Sequence, residues 1–398
     1  MSKIRWFCEQ PEKDAILQVY DTASMPFVHG VAVMPDCHYG RGSTVGTVVA
    51  TKGAIMPACV GVDIGCGMIA LETNLTLKDI KPFLSDIRKG IERRIPTGIG
   101  NYGMNSNLSE SARPRIEKLE DLNEKDGKNR GDFDKNWRNA LGSLGGGNHF
   151  IEICLNQYEA NLDETPVWVI LHSGSRGVGN RIGTFWTRFA QNLAKKYYYN
   201  SFLPNPDLAY LVEKSEEFWF YMKDLFWAQE FARLNREEMM DRVIQELTHT
   251  VCKTTTSEYN IQVQRINCHH NFVQKENYSG QNYWITRKGA IEAKEGMLAL
   301  IPGSMGTPSY VVKGLGNEGA FNSAPHGAGR KMSRGKARKM FTLANLQDKM
   351  QGIESRLRTE ILDEHPEAYK DINQVMEEAK TLVEPVHKLV QVINVKGD

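Results

Sequence analysis

Gly61-Val62-Asp63-Ile64-Gly65-Cys66-Gly67-Met68 sets a carboxylate and a thiol three residues apart in a run rich in glycine. Each glycine costs a helix interior about 1 kcal/mol relative to alanine, so the stretch reads as a tight loop with unusual backbone dihedrals. A hard ligand (Asp63) beside a soft one able to bridge two ions (Cys66) suits a divalent transition metal. The plainer reading is a buried turn in which Cys66 is a small hydrophobe. Two ligands do not make a site, so the rest of the chain has to supply the others.

Outward from this loop the chain alternates between apolar runs and short glycine-rich loops. Upstream, residues 14–23 have a helical pattern, and residues 28–33 and 43–51 read as strands. Between them stands Met34-Pro35-Asp36-Cys37-His38-Tyr39-Gly40-Arg41-Gly42, where Asp36 and His38 are either catalytic groups or an Asx-type turn. Downstream, residues 77–94 are spaced for a helix, and residues 97–140 turn polar, as a surface excursion and a candidate mobile flap. In Gly145-Gly146-Gly147-Asn148-His149-Phe150-Ile151-Glu152 the triple glycine lets the backbone approach a ligand, and a strand starts at Phe150. The apolar run 167–171 ends at His172-Ser173-Gly174-Ser175-Arg176-Gly177, a composition suited to a phosphate-binding edge.

Residues 181–250 read as an inserted helical hairpin, 184–198 and 216–247, interrupted by Pro204 and Pro206. Its aromatic stripe (Phe185, Trp186, Phe189, Trp219, Trp227, Phe231) reads as core packing. In Cys268-His269-His270-Asn271 successive strand side chains face opposite ways, so one histidine is a ligand candidate and the other is packed or hydrogen-bonded. Residues 283–301 read as paired strands with Thr286-Arg287-Lys288-Gly289 as a basic turn, followed by the small-residue loop Pro302-Gly303-Ser304-Met305-Gly306. Gly314-Leu315-Gly316-Asn317-Glu318-Gly319 matches GxGxxG in form only, because no helix follows to receive a pyrophosphate. Then comes Ser323-Ala324-Pro325-His326-Gly327-Ala328-Gly329-Arg330, and residues 330–339 hold six basic residues and no acidic one. That is either a solvated helix start or the setting of a nucleophile that attacks phosphorus. Residues 343–379 read as helical and 385–395 as a strand.

Composition excludes several classes. With 398 residues, 41% apolar and a net charge of +1, the chain has ample core and no global attraction to nucleic acid. Seven cysteines without CxxC pairs argue for reduced thiols rather than a disulfide framework. No apolar run approaches the ~20 residues that span a bilayer, and the N-terminus lacks a signal core, so a cytoplasmic protein without a membrane role is expected.

Of ten histidines, six (His38, His149, His172, His269, His270, His326) lie in Gly/Ser/Asn-rich loops, which points to one convergent site. With Asp63 and Cys66 they suffice for two ions sharing a thiolate, as in two-metal catalysis.

Taken together, the stretches around Asp36, Asp63, His149, His172, His270, residues 302–305 and His326 resemble the RtcB family of RNA-splicing ligases, over essentially the whole chain. The resemblance implies an α+β fold of stacked, largely antiparallel sheets around a central site with an inserted helical hairpin, in a single catalytic domain over residues 1–398. It implies an enzyme dependent on GTP and two Mn²⁺ that joins RNA 3′-phosphate or 2′,3′-cyclic phosphate ends to 5′-hydroxyl ends, in splicing or repair. Asp63, Cys66 and His149 would hold one ion, and Cys66, His172 and His270 the other. His326 would be the guanylylated nucleophile, with Asp36 acting from outside the ligand set. Nucleotide contacts would fall on Asn148, His149, Phe150, Ile151, Glu152, His270, Asn271, Pro302, Gly303, Ser304, Met305, Ser309, His326, Gly327, Ala328, Gly329 and Lys396. Arg176, Arg330 and the basic run would grip RNA phosphates. Cys37, where an aliphatic residue is usual, and residues 97–140 depart from the family pattern. A monomer is expected, with room for an unidentified activating protein. The alternatives are a metal-dependent phosphoesterase, a nucleotidyl transferase acting elsewhere than on RNA, and an RNA-binding module with a structural metal.

Overall fold

The larger of two main sheets has eight strands, antiparallel along its main path. That path runs Leu298–Ile301, Ser309–Gly314, Val383–Lys396, Phe150–Asn156, Pro166–Ser173, Gly67–Thr76, Gln262–His269. Alternate residues of its central strands face two different cores. Met68, Ala70, Phe150, Cys154, Trp168 and Ile170 pack toward Ala32, Met34, Val48, Ala50 and Ile285 of the second sheet. Ile69, Leu71, Ile151, Ile153, Val169 and Leu171 pack toward Ile87, Ile91, Met239, Val243 and Leu247 of two covering helices. Burial on both faces is why these strands read as continuous apolar runs and not as apolar-polar alternation. Each such side chain contributes about 1.5–3 kcal/mol relative to leaving it in water.

The second sheet has the order Ile4–Trp6, Val28–His38, Val45–Thr51, Gln281–Lys288, Asn271–Tyr278. Its last two strands form a hairpin in which Tyr278 pairs with Gln281. The two loop residues, Ser279 at φ 50° and Gly280 at φ 78°, have the left-handed backbone that matches strand twist. This computed structural model describes residues 3–9, 11–98, 110–159, 161–252 and 261–397. The fold is mixed α+β with largely antiparallel sheets, and no helix among the described residues is long and apolar enough to cross a membrane.

The hairpin insertion is present as Arg176–Lys196 and Glu216–Cys252, longer than its periodicity predicts because the first helix begins directly after the His172 strand. Five expectations need correction. Residues 34–38 are not a loop: the strand Val28–His38 runs through them. Residues 97–140 are not wholly a surface excursion, since Ile116 and Leu119 of Arg113–Asp126, together with Trp137, are buried with the long helix. The flap reading falls partly on residues 99–109, outside the described residues. Residues 283–301 are not mutually paired: Gln281–Lys288, Ala290–Glu292 and Leu298–Ile301 belong to three different sheets. Arg287 and Lys288 accordingly lie buried on a strand and not in an exposed turn. Residues 343–379 break into Leu343–Lys349, two 3-10 turns and Ile372–Glu378, where Gly352 and Pro366 interrupt the helical pattern. In the aromatic stripe Trp186, Trp227 and Phe231 are core, but Phe185 is 45% and Trp219 46% exposed.

Candidate active site

Strand register assembles the site. Gly67 pairs with Ser173 on one side and His269 on the other, Met68 pairs with His172, and Phe150 pairs with His172. Four segments distant in sequence therefore end side by side at one end of the large sheet. Gly67 is obligatory there, because a Cβ would lie 2.0 Å from the carbonyl oxygen of Cys268.

Two triads of ligand atoms result, Asp63-Cys66-His149 and Cys66-His172-His270, with the Cys66 thiol in both. Cys66 Sγ is 3.5 Å from His149 Nε2 and 3.3 Å from His172 Nε2. His149 Nε2 is 3.1 Å from Asp63 Oδ2, and His172 Nε2 is 3.0 Å from His270 Nε2. The outer nitrogens decide the protonation. Nδ1 of His149 faces the Leu144 carbonyl at 3.0 Å, and Nδ1 of His172 faces the Asn148 carbonyl at 3.2 Å. His270 Nδ1 faces Asn271 Oδ1 at 3.2 Å, an oxygen fixed as acceptor by the Gly289 N–H. Carbonyls only accept, so each ring keeps a proton on Nδ1; His172 and His270 then point a bare Nε2 inward, while Nε2 of His149 lies against the Asp63 carboxylate. Burial pushes His172 and His270 well below the usual imidazole range, so both rings are neutral. Burial and the neighbouring Asp63 push the Cys66 thiol well up. Asp63, against the pull of burial, is held below its usual range by His149.

Three imidazole nitrogens, a carboxylate and one thiol thus converge as a set of donor atoms. Such a group is mutually repulsive unless cations sit within it, and its mixed N, O and S donors fit a pair of divalent transition ions sharing a thiolate.

His269, adjacent to His270, turns to the opposite side, its Nδ1 2.8 Å from the Gly65 carbonyl and 3.2 Å from Arg236 Nη2. Arg236 comes from the long helix, is fully buried, and donates to Gly65 O at 2.9 Å, Ser173 O at 3.0 Å and Asn267 Oδ1 at 2.9 Å. Burial lowers its pKa to about 10, so it stays charged. This strut has no signature in the sequence, where it is one more polar residue on a helix.

A cavity of about 300 Å³ opens from the triads. His326 lines it, with its ring 4.6 Å from that of His270. His326 Nδ1 donates to Asp36 Oδ2 at 2.6 Å, and its backbone N–H donates to the same oxygen at 3.0 Å. The anion fixes the tautomer and leaves Nε2 of His326 with its lone pair. Asp36, expected near the metal ligands, holds the nucleophile candidate instead. Its Oδ1 lies under Gly46, where a Cβ would come within 2.9 Å, and Gly329 is equally confined by the Asp36 carbonyl. On the next residue Cys37 faces the other way, into the cluster of Val31, Val33 and Val49. His38 is neutral, lowered to about 4 by burial.

Asn148, Phe150, Asn271, Pro302, Gly303, Ser304, Met305, Gly327, Ala328, Gly329 and Lys396 also line the cavity. Ile151 does not: its side chain lies in the core on the helix side of the sheet. Glu152 and Ser309 are buried and are not in the lining, and among the described residues Glu152 Oε2 and Ser309 Oγ have no hydrogen-bond partner. Glu152 Oε1 accepts from Asn394 at 2.8 Å and Gln391 at 3.2 Å, and burial raises this carboxyl to about 7. Lys396 is 3.0 Å from Glu364 and 5.6 Å from the Phe150 ring. Glu364 and Tyr369, in the cavity wall, were hidden in a segment whose charge balance resembles an ordinary helix. Arg176 and Arg330, expected to face RNA, are engaged internally, Arg176 with Ser143 and Gly98 and Arg330 with Glu364 and Tyr369.

Residues 18–397 match the family described as tRNA-splicing ligase RtcB. The chain is 45% identical to the RNA-splicing ligase RtcB of Escherichia coli strain K12, with 97% of this chain and 95% of that one covered. It is 33% identical to the tRNA-splicing ligase RtcB of Methanococcus maripaludis, with 92% and 88% covered. Sheet ends, paired ligand triads and near-complete alignment converge: the chain belongs to the RtcB family of RNA-splicing ligases.

Proposed function

We propose that this RNA ligase joins a 3′-phosphate or 2′,3′-cyclic phosphate end to a 5′-hydroxyl end at the expense of GTP, with two Mn²⁺ at the shared-thiolate centre. The observation that carries the reading is the tautomer-fixed His326, its Nδ1 on Asp36, in the same cavity as the two triads. Nε2 of His326 attacks the α-phosphorus of GTP, the bond to pyrophosphate breaks, and a phosphoramidate to GMP forms. Asp36 stabilises the positive charge that develops on the ring. The RNA 3′-phosphate oxygen then displaces His326 from that phosphorus. The 5′-hydroxyl attacks the RNA phosphorus, GMP leaves, and a phosphodiester remains. A cyclic end must first be opened by water to a 3′-phosphate.

Asp63, Cys66 and His149 would hold one Mn²⁺, and Cys66, His172 and His270 the other, supplying charge neutralisation for the phosphates when bound. Purine selection falls to Glu152 and Ser309, whose unpartnered buried oxygens would receive the N–H groups of guanine that adenine lacks in that arrangement. Phe150 offers a ring to the base, and Lys396 a charge.

The test uses GTP labelled at the α-phosphate, with Mn²⁺ and no RNA. Label should stay on the denatured protein, survive alkali and be lost in acid. A phosphoesterase would acquire no label, and a transferase acting elsewhere would label but fail to ligate defined RNA ends.

A further inference from the structure

A second cavity, of about 310 Å³, adjoins the catalytic one and shares Gly61, Val62 and Lys288 with it as a wall. A third hollow opens beyond, sharing Thr184 and Arg188 with the second. The three form a run that passes along the helix Arg176–Lys196, from His326 to Phe185 and Phe189.

Two exposed arginines stand in this run, Arg41 in the second cavity and Arg188 where it meets the third. Among the described residues neither guanidinium has a carboxylate or hydrogen-bond partner, whereas Arg176, Arg181 and Arg330 nearby are engaged by the protein. Arg41 is not on a loose surface loop. Buried Lys288 donates to its carbonyl at 2.7 Å, and to Ser43 O at 2.9 Å and Ala58 O at 3.1 Å, so the backbone under it is fixed. Asp207 shares the cavity, held by Gln191 Nε2 at 2.8 Å. A carboxylate in the same cavity as two guanidiniums makes a poor seat for free phosphate. It suits a ligand that brings a hydroxyl or amino group together with its phosphate, as a ribonucleotide does. At the far end Phe185 is 45% exposed and stacked on Phe189 at an interplanar angle of 29°. A basic groove ending in an exposed aromatic face is the pattern that single-stranded nucleic acids require.

We propose that this groove carries one RNA strand, its phosphates against Arg41 and Arg188 and one base on Phe185, so that only the terminal nucleotide enters the cavity of His326. The proposal rests on the ligase reading and adds to it the path of the strand. Either RNA end offers the same chemistry, so the test separates them.

Full-length Arg41→Ala, Arg188→Ala and Phe185→Ala variants are compared with the parent in two assays. One is guanylylation of His326 without RNA. The other is ligation kinetics in which a 3′-phosphate strand and a 5′-hydroxyl strand are each varied while the other saturates. One strand should show KM raised roughly tenfold in each variant, with kcat within about twofold. The salt dependence of its binding should lose about one unit of slope per arginine removed. Arg188→Lys should recover most of the loss, and trimming that strand to a dinucleotide should erase the difference between parent and variants. The strand affected identifies which end lies in the groove. Unchanged KM for both strands in all three variants overturns the proposal, as does a KM rise accompanied by loss of guanylylation, which would mark a structural role. If the parent itself takes no label, the ligase reading fails, and fluorescence anisotropy with single-stranded RNA still decides the groove.

Discussion

His326 gives two hydrogen bonds to one oxygen of Asp36, from Nδ1 at 2.6 Å and from its own backbone N–H at 3.0 Å. The carboxylate therefore sets both the position of the candidate nucleophile and the nitrogen that keeps its proton. Asp36→Asn should slow guanylylation by about 10²–10⁴-fold while metal content is unchanged. His326→Ala should bind metal, take no label, and still seal an RNA whose 3′-phosphate is already guanylylated. Loss of metal in either variant would place the residue in the ligand set instead.

Cys66 belongs to both triads, so its removal acts on two sites at once. Cys66→Ala should lose both ions and all ligation. Cys154, buried among apolar residues two strands away in the same sheet, is the control: Cys154→Ala should cost about 1 kcal/mol of stability and keep full metal content. Elemental analysis of the two purified variants, read as metal per chain, decides between shared and separate ligation.

The unpartnered oxygen of Glu152 bears on nucleotide choice. Glu152→Gln keeps the shape and replaces an acceptor by a donor, so GTP labelling should fall at least tenfold while ATP labelling rises or is unchanged. A variant that prefers GTP as strongly as the parent would remove Glu152 from base recognition.

Glu364 sets a pH window. Burial opposes its charge, yet Lys396, Arg334, Tyr369 and Arg330 hold its pKa down at about 2. A depressed carboxylate stabilises the fold fully above its ordinary pKa of about 4.5 and loses that contribution as pH falls toward 2. The difference amounts to about 3 kcal/mol. Urea denaturation should show Glu364→Gln clearly less stable than the parent at pH 7 and the gap narrowing steadily below pH 4.5. A gap constant across that range would mean that the charge is not what matters.

Arg236→Met should be among the most damaging single changes, because it removes the donors to the Gly65 and Ser173 carbonyls and to Asn267 Oδ1 from a buried site. A loss of about 3–5 kcal/mol is expected, measurable as a lower urea midpoint, with weakened metal affinity in whatever folds.

The candidate site residues stood out because their surroundings are so unlike ordinary core. Asp63, Cys66, His149, His172 and His326 each sit among glycines that let separate backbones meet, and Gly67 shows how little space is left; His270 was marked instead by the adjacent His269 and Asn271. The strand 167–171 was legible from an unbroken apolar run, and 385–395 from its recurring Val and Ile. What escaped was any group whose neighbours are set by tertiary packing. Lys288 reads as part of an exposed turn until one sees four oxygen acceptors around its ammonium. Arg236 reads as a solvated helical residue until the helix is laid across the ends of the strands. Phe185 and Trp186 are adjacent and equally apolar, and only the docking of their helix decides which one is covered.

The strand Val383–Lys396 lies between Ser309–Gly314 and Phe150–Asn156, in the interior of the large sheet although it comes last in the chain order. During synthesis the sheet therefore stays divided, with two long apolar edges unpaired, until residue 396 has been made. The candidate metal ligands at the end of the sheet cannot be locked in place before that moment. Nascent chains of this protein should then be inert and prone to edge-to-edge association.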